Sequence, residues 1–244
     1  MAIEKIDVVL TSDDFNSKGR IKAENLFRYL QKSAQNQTEA YHVSIEELIE
    51  KGQMWAITKM KVIMQGIIEP GKKYTFGTFP QSYKRATFKR EFFVCEADKY
   101  DGINSPMLAI GTSQWCIMDF KTRKLVRDSG VGEILEDACE KDPLISGPIE
   151  KIKAKSPEFV GIHRVIKEDL DKNQHTNNCR YLTMAEEYVD RKGSYVIVNY
   201  VTETRLGDEI KLYREEQDKG VFVEGRKSSS EGGEEKVFEV YFGD

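Results

Sequence analysis

Hydrophobic and polar residues alternate along this chain in two rhythms, and the same order of rhythms occurs twice. Across 21–40, Ala23, Leu26, Phe27, Leu30 and Ala34 recur at three- and four-residue spacing, which predicts one long amphipathic helix. A short strand at 6–10 and a polar loop at 11–18 precede it. Four strand-like runs follow, at 54–64, 73–79, 86–96 and 107–120, with Pro70-Gly71 as the turn between the first two. Residues 128–157 are rich in Glu, Asp, Lys, Gly and Pro and hold one short helical stretch around 134–140. They read as a linker laid across the surface. The order then returns: a strand at 161–167, a polar loop at 171–178 and a helix at 179–191 without Gly or Pro. Strands at 195–203, 209–216, 221–226 and 236–242 complete it. Asp218-Lys219-Gly220 suits a hairpin turn, and 228–235 a longer mobile tip.

A strand, a helix and four consecutive strands predict an antiparallel sheet wrapped around one helix, which buries its apolar stripe against the sheet. The expected fold class is therefore α+β, with a first unit at 1–128, a linker at 129–157 and a second unit at 158–244. Pairing the edge strands of two such units into one long sheet would hide two edges. An offset of 157 residues lays Asp14-Phe15-Asn16 on Asp171-Lys172-Asn173 and Val8-Val9-Leu10 on Val165-Ile166-Lys167. Position 175 then falls on Lys18, so only the second half carries an imidazole there.

The richest chemistry lies in Asp171-Lys172-Asn173-Gln174-His175-Thr176-Asn177-Asn178, an acid, an imidazole and four carboxamides just before a predicted helix. The first N–H groups of a helix lack intrahelical partners and its dipole favours negative charge, so an acyl oxyanion would be stabilised there. Asn177 and Asn178 also suit the helix N-cap. Of three histidines, His42 and His163 have no such context and read as structural. Asp169 reads as loop punctuation, and Trp55 and Trp115 as core.

Composition narrows the field. A net charge of -4 and a pI near 5.6 argue against a nucleic-acid binder. Cys95, Cys116, Cys139 and Cys179 are scattered, without ligand spacing for zinc, and fit a reducing cytoplasm. The N-terminus is too charged for a signal peptide, and no apolar run reaches the ~18–20 residues of a membrane helix.

Several short motifs, in order, resemble the acyl-acyl carrier protein thioesterases, a double hot dog family. They are Gly52-Gln53-Met54-Trp55, Arg90-Glu91-Phe92, Thr112-Ser113-Gln114-Trp115 with Met118-Asp119, and Thr122-Arg123-Lys124. The second half adds Asp171–Asn178 with Arg180-Tyr181, and Glu203 before Leu206-Gly207-Asp208-Glu209-Ile210. The resemblance implies a tandem hot dog, each antiparallel sheet wrapped around a central helix. It also implies hydrolysis of acyl-acyl carrier protein to free fatty acid, terminating fatty acid synthesis, without metal or other cofactor. Plant members carry a Cys directly after the acid matched by Glu203. Here that residue is Thr204; bacterial relatives also lack the thiol, so water is the implied nucleophile.

On this reading Glu203 ends a strand and, partly buried, draws a proton from water or attacks directly. Asn173 and His175 orient water or carbonyl, Asp171 orients one of them, and the backbone N–H groups at Asn177 and Asn178 polarise the carbonyl. The first half holds the acyl chain among Leu26, Phe27, Leu30, Met54, Trp55, Met60 and Met64. The partner is an acidic acyl carrier protein, with Lys84, Arg85, Lys89 and Arg90, or Arg123, Lys124 and Arg127, as candidate docking cations. Pairing with a second copy as a homodimer stays open. Rival readings are an acyl-coenzyme A thioesterase, a hot dog dehydratase and a non-catalytic acyl-binding module. The position of Asn173 and the later Glu203 argue against the dehydratase. A binding module has no need of Asn173, His175 and Glu203 together.

Overall fold

The computed structural model describes residues 3–81, 83–84, 86–136, 142–190, 193–229 and 232–244. Helix α1, Ala23–Ala40, buries Ala23, Leu26, Phe27, Leu30 and Ala34, the stripe that its spacing predicts. Towards the C-terminus the stripe continues inward with polar side chains, Ser33, Gln37 and Thr38. The chain divides into two compact units, Met1–Pro148 and Ile149–Asp244.

In the first unit, strands β1 (Glu4–Val9), β2 (Gln53–Met64), β3 (Lys73–Pro80), β4 (Phe88–Glu96) and β5 (Ala109–Asp119) pair antiparallel in the order β1-β3-β4-β5-β2. Helix α1 packs on β1 and β3, with the Tyr29 and Phe76 rings 5.1 Å apart. Arg90 on β4 donates to Gln37 of α1 at 2.5 Å, which identifies the helix-facing side of the sheet. Cross-strand pairing and the bulge between Ile57 and Lys59 put Trp55, Ile57, Met60 and Met64 on that side. The other face builds a core of Phe79, Phe93 and Cys95, closed by Ile3, Tyr100, Ile103 and Met107.

Two short helices depart from the sequence reading. Helix α2, Ile45–Glu50, was not signalled by apolar rhythm but starts in a capping box: the Ser44 hydroxyl accepts the Glu47 N–H, and the Glu47 carboxylate accepts the Ser44 N–H. Helix α3, Val131–Glu136, begins before the expected stretch, whose later residues 137–140, with Cys139, lie outside the described residues. Val131 and Leu135 of α3 join Val43, Leu48, Phe88 and Ile117 in a core that also takes in Trp55 and Trp115. The expected linker is therefore partly core. Further along, the N–H groups of Leu144 and Ile145 donate to the buried Glu91 carboxylate at 3.0 and 3.2 Å.

In the second unit, β6 (Glu158–Arg164), β7 (Tyr195–Tyr200), β8 (Glu209–Gln217), β9 (Gly220–Ser228) and β10 (Glu234–Gly243) pair antiparallel in the order β7-β10-β9-β8-β6. Asp218-Lys219 forms the tight β8–β9 turn, with Gln217 paired to Gly220. The expected mobile tip at 228–235 is partly strand, and residues 230–231 within it lie outside the described residues. Helix α4, Arg180–Glu186, packs on β10, its Tyr181 ring stacked on Phe238 at 5.0 Å. It is seven residues long and stops well short of the predicted 191, which itself lies outside the described residues. The local sequence holds no breaker. Arg214 of β8 donates to the Tyr188 carbonyl at 2.8 Å, a bond that only the folded unit supplies.

Candidate active site

The loop between β6 and α4 hangs on one buried carboxylate. Asp169, 0% exposed, accepts the Ile166 N–H at 3.0 Å and Arg180 Nε at 2.9 Å, and meets His163 Nε2 at 2.7 Å. Its backbone carbonyl accepts the Asn177 N–H at 2.8 Å. Burial alone would push this carboxyl up, yet His163, the Ile166 N–H and Arg180 together hold it below the usual carboxylate range. Asp169 is thus the hub of the loop and not punctuation.

Asp171 sets the next turn. Its Oδ1 accepts the N–H groups of Asn173 at 2.8 Å and His175 at 3.2 Å, and its own N–H donates to the His175 carbonyl at 2.8 Å. Between them Gln174 has φ 62°, in the left-handed region. Asp171 therefore orients Asn173 and His175 through their backbones. The Asn173 carboxamide makes no hydrogen bond among the described residues.

The same turn recurs in the first unit, offset by 155 residues. Asp14 stands where Asp169 does, accepting the Thr11 N–H at 2.8 Å as Asp169 accepts that of Ile166. Asn16 Oδ1 accepts the N–H groups of Lys18 and Arg20, as Asp171 Oδ1 accepts those of Asn173 and His175. Gly19, φ 70°, matches Gln174, and the Phe15–Ile21 bridge matches Leu170–Thr176. The offset of 157 expected from sequence is corrected by two, because residue identity paired Asp14 with the wrong aspartate. His175 corresponds to Arg20, and Asn173 to Lys18.

Glu203 meets His175 from the other side. Strand β7 ends at Tyr200. The N–H groups of Val201 and Thr202 share the Val237 carbonyl, and the Thr204 carbonyl accepts the Thr176 N–H at 2.8 Å. The chain is drawn off the sheet by these bonds, so Glu203 lies in an irregular segment and not at a strand end. Its Oε2 is 3.5 Å from His175 Nε2. The imidazole is 12% exposed but the Glu203 side chain is 44% exposed, in contrast to the partial burial expected of it. Lys227 Nζ donates to the Glu203 carbonyl at 2.8 Å.

Other expected groups are placed differently. The Asn177 N–H is already donated to Asp169, and its carboxamide oxygen accepts the Cys179 N–H at 2.9 Å, so it organises the entry to α4. Cys179 is the N-cap. The Asn178 N–H has no partner among the described residues. With seven residues, α4 offers a weaker dipole than the helix predicted. In the first unit Leu26, Phe27, Leu30 and Met60 are buried and Trp55 and Met64 half-buried. Strand alternation turns Met54 to the opposite face, where Arg123 contacts its sulfur. Arg90 is 6% exposed and cannot serve a docking patch, while Arg85 lies outside the described residues. Among the described residues no cluster of His, Cys, Asp or Glu is placed to hold a metal ion, and no helix is long and apolar enough to cross a membrane.

An acyl-ACP thioesterase from Bacteroides thetaiotaomicron has the same fold, with a TM-score of 0.86 and 21% identity over 99% of this chain and 97% of that one. The 12:0-ACP thioesterase from Umbellularia californica superposes with a TM-score of 0.78 and 14% identity, covering 99% and 96%. The fold is the α+β tandem hot dog. By sequence, the chain is 25% identical over 171 residues to the chloroplastic palmitoyl-acyl carrier protein thioesterase of Arabidopsis thaliana. That match covers 65% of this chain but only 40% of the relative's length. Residues 4–135 match the acyl-ACP thioesterase N-terminal domain and residues 153–240 its C-terminal domain. With both domain matches in order along its length, the chain belongs to the acyl-ACP thioesterase family.

Proposed function

We propose that this chain hydrolyses the thioester of acyl-acyl carrier protein, releasing free fatty acid and terminating fatty acid synthesis. The observation that carries the proposal is the approach of His175 Nε2 and Glu203 Oε2 to 3.5 Å, with Asn173 on the same Asp171 turn as His175. Glu203 is exposed to water and acts as the general base. It takes a proton from a water molecule held by His175, and the hydroxide adds to the thioester carbonyl. The Asn173 carboxamide and the Asn178 N–H donate to the developing oxyanion, the second in place of a donor from Asn177. Collapse of the tetrahedral intermediate breaks the carbon–sulfur bond, and the proton held by Glu203 passes to the departing thiolate. Asp171 holds the turn on which Asn173 and His175 stand. Within the first unit, Leu26, Phe27, Leu30, Trp55, Met60 and Met64 line the acyl-chain cavity on the helix-facing side, without Met54. Cys95 and Cys116 form no disulfide, which suits a cytoplasmic setting.

The test is free fatty acid release from a panel of acyl-acyl carrier proteins and matched acyl-coenzyme A thioesters, with Glu203→Ala alongside. Turnover of the carrier-bound substrates, reduced about 100- to 10,000-fold in a folded variant, is expected. Preference for coenzyme A would keep the chemistry and replace the partner. Full activity in Glu203→Ala would remove this acid from the mechanism.

A further inference from the structure

Three buried hydroxyls bond to one another, two of them on the residues that follow His175 and Glu203 in the chain. Thr204 Oγ1 is 2.6 Å from Thr176 Oγ1 and 3.0 Å from the Tyr181 hydroxyl. Their residues are 0%, 4% and 2% exposed. Thr176 directly follows His175 in the chain, and Thr204 directly follows Glu203. The Thr176 N–H also donates to the Thr204 carbonyl at 2.8 Å. Two bonds, one through side chains and one through backbones, therefore join the residues next to the imidazole and the carboxylate.

The segment carrying Glu203 needs such a tie. It has left β7 and has not yet entered β8, so no sheet ladder fixes its register. Burying hydroxyls is costly unless they are bonded to each other, and a valine of the same shape would fill the space without that cost. The hydroxyls of Thr176 and Thr204 are thus explained by what they hold. A phenol is already a hydroxyl at neutral pH, and burial pushes that of Tyr181 further up, so it can join the chain of bonds.

We propose that Thr204, with Thr176 and Tyr181, forms a latch that sets the separation of the His175 imidazole and the Glu203 carboxylate. The three are positioning residues and do not touch substrate. The inference rests on the reading of His175 and Glu203 as the catalytic pair. It assigns a task to the buried hydroxyl that directly follows Glu203 in the chain.

Thr204→Val removes the hydroxyl and keeps the shape, and Thr204→Ser keeps the hydroxyl. In the thioesterase assay Thr204→Val is expected to lose about 10- to 100-fold in kcat with KM within about twofold, because misplacement of about 1 Å has effects of that size. Thr204→Ser should recover kcat to within about threefold. In parallel, the His175 ring resonances, followed by NMR, should move in Thr204→Val and not in Thr204→Ser. Wild-type kcat and unmoved resonances in Thr204→Val would overturn the latch, as would equal losses in both variants. A wild-type protein that turns over no thioester would refute the proposed function, and the resonances would still decide the latch. Should Thr204→Val fail to fold, Tyr181→Phe takes its place: a smaller kcat loss with moved resonances supports the latch, and no change in either overturns it.

Discussion

Asp169→Asn keeps the shape of the loop's hub and removes its charge. The carboxylate now serves the Ile166 N–H, Arg180 Nε and His163 Nε2 from full burial. A carboxamide has one acceptor oxygen. Turned towards Arg180, it leaves its NH2 against the Ile166 N–H; turned over, it sets the NH2 against the guanidinium. Either way one donor is stranded. Removing one partner of a buried ion pair costs about 3–5 kcal/mol, and Arg180 is 26% exposed, which places the loss near the lower end, about 3 kcal/mol. The His163 ring can pair with either end of the new carboxamide, so the third contact survives. Asp14→Asn is the control. Its partners, the Thr11 N–H and hydroxyl and the Tyr29 hydroxyl, are neutral donors, and the expected loss is about 1–2 kcal/mol. Urea denaturation at neutral pH reads both, with the midpoint shifted at constant slope. Acid should erase the difference. The folded carboxyl titrates below its unfolded range, so its contribution is complete above about pH 4 and is lost as pH falls through the folded pKa. A change below about 0.5 kcal/mol in Asp169→Asn would refute the assignment of this carboxylate as the hub.

Two further predictions concern single groups. Burial pushes the Glu91 carboxyl up, against the pull of Thr112 and the N–H groups of Ile145 and Leu144. Its stabilising contribution is therefore present below the unfolded carboxylate pKa and lost as pH rises through the folded value, the reverse of Asp169. Glu91→Gln should gain on the wild type in urea midpoint as pH rises from about 4 to about 8, and a constant difference would contradict this. Gln174 holds a left-handed φ of 62°, so Gln174→Val should lower stability by about 1–2 kcal/mol, while Gln174→Gly should change it by less than about 0.5 kcal/mol. Thermal unfolding of the pair checks this, and equal melting temperatures would remove the strain argument.

Much of this architecture was legible because backbone geometry imposes its period on the sequence. The stripe of α1 and the strand-like runs follow from local residues alone. What escaped depends on distant partners. Nothing near Glu203 announces that the chain leaves β7 at Tyr200, since the bond that captures Thr204 comes from Thr176. Just past the early end of α4, the Tyr188 carbonyl is held by Arg214 from another strand, a partner that the local sequence does not show. The polar composition around 128–157 hid Val131 and Leu135, whose burial depends on Trp55 and Phe88 across the unit. Helix α2 is different: Ser44 and Glu47 stood in capping-box spacing and were readable. His175 stood out because carboxamides crowd around it. Asp169 did not, since a lone acid in a loop gains its meaning only when His163 and Arg180 fold onto it.

The turn built on Asp14 and Asn16 in one unit and on Asp169 and Asp171 in the other has an evolutionary consequence. Its frame is made by carboxylate or carboxamide oxygens on backbone N–H groups, so it is indifferent to the side chains at the two stations it presents. One copy presents Lys18 and Arg20, the other Asn173 and His175. A duplicated frame of this kind separates inventing chemistry from keeping the fold. New side chains can be tried at the stations while the oxygens behind them preserve the loop, and one copy can carry a reaction while its twin drifts to another task.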